Sequence, residues 1–270
     1  MDDHTVIGRV TAILEVVAGP HPCSLARLAA ETGIPKPTVR RIANQLVAER
    51  ILSRDAHGYR LGLRLIELGT AATTQLGTAE AAAPFVQELH ERTRQIAWIA
   101  AFDEDALITL DTAYPHEHAP LVAATWQPRW AIGPAAVTAA GHLMLSLRPA
   151  EADRVLRAGL TRLTPHTVTS PRLLHGRLQR VADTGIAYEC EETRLGWWCG
   201  AALVHAPTGT YVLGLISPVR AVPMTRGITH LQRAAERLQH ELTSRPGRQT
   251  GPPTRASSPA RRWTPHRSPS

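Results

Sequence analysis

The stretch from Ser24 to Gly62 constrains this chain most, because helix spacing, proline placement and a glycine turn agree within it. Ser24 suits the cap of a short helix with Leu25, Leu28 and Ala29 as its apolar residues, and Gly33 suits its end. Ile34-Pro35-Lys36-Pro37 then demands a tight non-helical link, since residues before proline avoid the α region. Pro37 fits the first turn of a further helix, where its missing N–H costs nothing. In that helix Val39, Ile42, Ala43, Leu46 and Val47 recur at helical spacing, while Thr38, Arg40, Arg41, Asn44 and Gln45 share the opposite face. Two short strands around Asp55-Ala56-His57-Gly58 read as a hairpin. Upstream, Val6, Ile7, Val10, Ile13, Leu14 and Val17 predict a first helix that Gly19-Pro20 stops. Helix, helix, turn, helix, hairpin is the order of a winged helix-turn-helix.

The rest of the chain predicts an α+β arrangement. Helices are expected at 63–76 and 78–93, then a hairpin of Ile96–Ala100 with Ala106–Leu110, and a strand from Leu121 to Trp126. Helices follow at 134–147, 149–158 and 171–184, strands at 186–190, 199–205 and 210–217, and a last amphipathic helix at 225–243. The boundaries expected are 1–66 for the winged helix-turn-helix, 67–78 for a linker helix, 79–244 for the second domain and 245–270 for a disordered tail. The formal charge of +7 is misleading on its own, because six arginines and no acid lie beyond residue 244. The basic balance thus belongs to the tail and is weak evidence for a polyanion partner. Three cysteines without paired spacing, and no basic-then-apolar leader, fit a cytoplasmic protein. Gly196 to Val219 carries no formal charge but is broken by Pro207-Thr208-Gly209, so two strands account for it and no membrane span is expected.

A helix that enters a major groove needs donors for phosphates and base edges, with Arg suited to guanine and Asn to adenine. Lys36, Pro37, Thr38, Arg40, Arg41 and Asn44 supply such a face, and Ser24 at a helix start offers backbone N–H groups to phosphate. His57 and Arg60 in the hairpin can reach the backbone or the minor groove. His116-Glu117-His118 lacks a third ligand that could be named, so no metal is expected.

The run from Ser24 to Ile42, continued by Gly58-Tyr59-Arg60-Leu61-Gly62-Leu63-Arg64-Leu65, resembles the helix-turn-helix and wing of the IclR family of bacterial transcriptional regulators. The resemblance implies double-stranded operator DNA as partner, a homodimer or a dimer of dimers, and a C-terminal GAF-like α/β domain that binds a small-molecule effector. For that site it implies Pro134, Ala135, Ala136, Glu189, Cys199 and Ser217. Ala136 stands where the family has histidine, His142 where it has lysine, and Ile216 beside Ser217 where it has two serines. These departures imply a more apolar ligand than the small organic acids of many relatives. No cofactor and no enzymatic activity are expected. The alternatives are a second domain that only dimerises, and an enzyme using Cys199, His205 and Glu189.

Overall fold

The computed structural model describes residues 5–19, 22–103, 106–125, 129–131 and 136–244. Pro134, Ala135 and the tail from 245 onward lie outside the described residues.

Three helices open the chain: α1 (Val6–Val17), α2 (Leu25–Thr32) and α3 (Lys36–Ala48). Ser24 caps α2 by accepting the Arg27 N–H at 3.2 Å, and Gly33 ends it in the left-handed region at φ +68°. The hairpin β1 (Leu52–Asp55) and β2 (Gly58–Leu61) follows in antiparallel register. Ile13, Leu28, Val39, Ile42, Leu46, Leu52 and Tyr59 form the core of this head. Cys23 pairs with Tyr59 through two backbone hydrogen bonds of 3.1 and 2.9 Å, which fastens the hairpin to the link between α1 and α2. Gly58 makes that junction possible. Its φ is +127°, and a Cβ there would lie 2.6 Å from the Cys23 carbonyl oxygen.

Helix α4 (Leu63–Leu76) carries the chain onward with no buried residue, and Leu63 and Ile66 are about two-thirds exposed at 67% and 65%. Val6 and Ile7, expected on the apolar face of α1, are exposed as well. Helix α5 (Thr78–Thr93) leads into a six-stranded antiparallel sheet. Its strands are β3 (Ile96–Asp103), β4 (Ala106–Ala113), β5 (Arg129–Ala131), β6 (Ile186–Cys190), β7 (Trp197–Ala206) and β8 (Gly209–Pro218). Their spatial order is β5-β4-β3-β8-β7-β6.

Period-two alternation sends the side chains of each strand to two cores. Ala97, Ile99, Trp198, Val204, Leu213 and Leu215 pack under α5 and the last helix, α10 (Met224–Ser244). Ile96, Trp98, Ala100, Cys199, Ala201 and Val212 face the other way, toward α7 (Ala139–Ser146), α8 (Pro149–Ala158) and α9 (Pro171–Thr184).

Two expectations need correction. Leu121 to Thr125 is helical, within α6 (Ala119–Thr125), and β5 is the strand that pairs with β4. Pro120 sits in the first turn of α6, and Ala119, Ala123 and Ala124 favour helix, whereas one Leu-Val pair fits either structure. The helix expected from 134 begins at Ala139, because Thr138 is extended and caps it by accepting the Gly141 N–H at 3.0 Å.

Candidate functional site

The first candidate surface is α3. Its buried residues are Val39, Ile42, Ala43 and Leu46, so the helix is fixed in rotation. That rotation leaves Lys36, Pro37, Arg40, Arg41 and Asn44 exposed, with Thr38 half-buried. Residues 36, 40 and 44 line up at i, i+4 spacing, with 37 and 41 alongside. Among the described residues neither Arg40 nor Arg41 has a carboxylate partner, so both guanidinium groups keep their donors for another molecule.

The hairpin packs on this helix through β1. His57 is exposed, and its backbone N–H donates to Asp55 Oδ1 at 2.7 Å, which holds the Asp55 carboxyl below the usual range. Arg60 reaches Asp55 Oδ2 at 3.3 Å, so its charge is partly shared within the turn. Arg54, which the sequence did not single out, is exposed and its guanidinium lies 5.4 Å from the centre of the Tyr59 ring. Ser24 Oγ is occupied as the α2 cap.

The second candidate is a cavity of about 330 Å³ on the α7 side of the sheet. Its floor is Ile96, Trp98, Leu107, Cys199 and Ile216 from the strands. Leu121 and Val122 of α6 and Val137, Thr138 and Ala140 around the start of α7 form further walls. Trp98 fits because Gly214 lies on the neighbouring strand in register with it, and a Cβ on Gly214 would meet the indole at 2.0 Å. Trp197 lines the cavity, with His118 set edge-on at 5.1 Å between ring centres.

Glu189 is the buried acid of this cavity, 2% exposed, on β6 directly opposite Cys199 of β7. Its Oε2 accepts the backbone N–H of Glu192 at 2.9 Å, and its Oε1 accepts the Thr193 hydroxyl at 2.7 Å. Burial raises the Glu189 carboxyl above its usual value despite these bonds. Burial also raises the Cys199 thiol well above the usual cysteine range, which keeps it protonated and a poor nucleophile. The loop after Glu189 is tied down from outside: Arg177 donates to both Glu192 oxygens at 2.8 and 3.0 Å, and Thr167 donates to the Glu192 carbonyl at 2.6 Å.

The residues expected around an effector are therefore only partly brought together. Glu189 and Cys199 line the cavity, Ala136 is buried in the adjoining core, and Pro134 and Ala135 lie outside the described residues. Ser217 is placed away from the cavity, because it alternates with Ile216, which lines it. Ser217 Oγ donates instead to the Pro218 carbonyl at 3.0 Å. Trp98 and Trp197 went unread in the sequence, although Ile96, Trp98 and Ala100 already alternate there.

His142 is almost fully buried in α7, and among the described residues its Nδ1 has no hydrogen-bond partner. Burial, and then the positive charge of Arg177, lower it from 6.5 to about 3. As pH falls below 6.5 the unfolded chain takes up this proton while the folded one does not, so stability is lost on acidification. Urea melts should find about 2 kcal/mol lost on this account between pH 6.5 and pH 5, and less in His142→Asn. An equal loss in both proteins would show that His142 is not the group concerned.

Residues 6–56 match the family model described as the IclR helix-turn-helix domain, and residues 70–240 match that of the bacterial transcriptional regulator IclR C-terminal domain. The chain belongs to the IclR family. It is thus a DNA-binding transcriptional regulator of the IclR type. Family relatives include the HTH-type transcriptional regulator Rv1719 of Mycobacterium tuberculosis, 30% identical over 80% of this chain and 82% of that one. The HTH-type transcriptional regulator TtgV of Pseudomonas putida is also 30% identical, over 79% and 81%. The fold is shared with an IclR homolog from Microbacterium hydrocarbonoxydans complexed with 4-hydroxybenzoate, at a TM-score of 0.75 and 21% identity, covering 88% of this chain and 99% of that one. Among the described residues no helix is long and apolar enough to cross a membrane.

Proposed function

We propose that two copies of this chain hold an operator as a homodimer, each placing α3 in a major groove, and that a small molecule in the cavity biases the placement of the two heads. The observation that carries this reading is the exposed face of Arg40, Arg41 and Asn44, unpaired among the described residues, beside a hairpin and in the same chain as a largely apolar cavity. The proposed division is a head over 1–66, a linker helix over 67–78 and a cavity domain over 79–244. Within the head, Lys36, Pro37 and Thr38 meet the DNA with the start of α3, while Ser24, His57 and Arg60 approach its backbone. Glu189 and Cys199 belong to the effector site of this reading.

Homodimer formation is supported by Val6, Ile7, Leu63 and Ile66, large apolar side chains that this chain leaves exposed on α1 and α4. A cytoplasmic regulator without chemistry of its own fits the arrangement of Cys199, Glu189 and His205. The first two are opposite one another, but His205 is exposed six residues along β7, about 20 Å away at strand rise. A protein of the same fold carries 4-hydroxybenzoate, which suits a one-ring molecule as effector.

The test is selection of genomic fragments by the full chain, with light scattering of the free protein. The expected result is twice the chain mass, and inverted half-sites about one helical turn (~34 Å) or a multiple apart. A monomer that binds single, unpaired sites would sink the reading.

A further inference from the structure

We propose that the cavity selects an uncharged, mostly apolar molecule of about one ring's bulk, whose hydroxyl meets Glu189, and turns away small carboxylic acids. This rests on reading the cavity as the effector site. Ile96, Trp98, Leu107 and Ile216 offer the ligand no charge from the sheet, and Leu121 and Val122 offer none from α6. A dry cavity of ~150 Å³ accepts benzene. The roughly 330 Å³ here therefore accommodates one ring with a short chain.

The buried polar side chain of the lining is acidic. Glu189 is buried, and among the described residues the groups that act on it are its own loop's donors and the Glu192 carboxylate, with no cation. Arg194, the cation of the lining, belongs to the exposed side of that loop. A carboxylate set against Glu189 would have a carboxyl, not Arg194, for its neighbour and would be a buried charge among apolar side chains, which costs several kcal/mol. A hydroxyl does not carry that penalty, because it can donate to Glu189 Oε1, which among the described residues accepts only from Thr193. An ammonium would have to draw the buried Glu189 into its charged form, so both ions of the pair would lose their water.

Calorimetry on the full chain with 2-phenylethanol, phenylacetate and 2-phenylethylammonium tests this, since the three share a ring and chain and differ in the head group. The alcohol is expected to bind at least tenfold tighter than either ion. Glu189→Gln, which can keep the loop's hydrogen bonds, should narrow the gap between alcohol and phenylacetate at least threefold. Equal or tighter binding of either ion, no binding of the alcohol at millimolar concentration, or an unchanged gap in a folded Glu189→Gln protein would each overturn the inference. If that variant does not fold, the three affinities of the unaltered chain decide alone. Operator binding separates the two readings. Alcohol that binds without changing operator affinity removes the effector role and leaves this selectivity intact. An operator response to phenylacetate alone keeps the effector role and removes the selectivity.

Discussion

Replacing Arg40 and Arg41 together by alanine should remove most sequence-specific DNA binding while leaving the fold intact. A good side-chain contact to a base edge is worth about 1–3 kcal/mol, so two such losses lower affinity between about 30-fold and 10⁴-fold. Stability should barely change, because both side chains are exposed and neither has an ion-pair partner among the described residues. The same titrations, repeated over a range of salt, tell which part of the DNA each arginine touches. A phosphate contact removed lowers the salt slope by about one and weakens all sequences alike, whereas a base contact removed lowers the ratio of specific to non-specific binding. Unchanged specific binding by the double variant would mean that α3 does not enter the groove by this face.

The largest stability loss is expected at Trp198. Its side chain is 1% exposed, its Nε1 donates to the Val222 carbonyl at 2.9 Å, and it packs so closely on α10 that a Cβ on Gly227 would lie 2.2 Å from the ring. Trp198→Ala removes that ring and leaves an acceptor unpaired, which should cost about 3–5 kcal/mol in a urea melt. Trp197→Ala should cost clearly less, because Trp197 is only half-buried and faces the cavity. Two adjacent tryptophans thus divide the work of one strand. Both line the cavity, but Trp198 is the one that secures α10. Similar losses from both variants would contradict the two-faced reading of β7.

How much of this was legible follows from how local each feature is. The face of α3 could be read in advance, since Pro37 fixes where the helix starts and four apolar residues fix its rotation. The hairpin could be read too, because Gly58 is one of few residues able to hold its backbone conformation. The cavity was harder. Glu189 and Cys199 emerged from the family resemblance, but their opposition depends on strand register, which no local pattern sets. The same dependence put Ile216, and not Ser217, on the cavity face. Leu121 and Val122 were read in the wrong secondary structure, because a brief apolar run carries no period of its own. Trp98 as a wall depends on Gly214, which is distant in sequence and adjacent only once β3 and β8 pair.

Helix α4 buries nothing within its own chain, although it is the only stretch between the head and the sheet domain. A helix of this length is marginal in water when nothing packs on it. Within the chain it is tied mainly by the exposed Arg50–Glu67 ion pair, so in the proposed homodimer a second copy would supply most of its order and of its capacity to carry mechanical strain. A lone copy would hold its head on a slack tether, and a ligand in the cavity could not be felt at the DNA. Two copies that cover each other's α4 would turn the tether into a strut about 21 Å long, at 1.5 Å per residue. Dilution would then uncouple the cavity from the operator even where each site stayed intact.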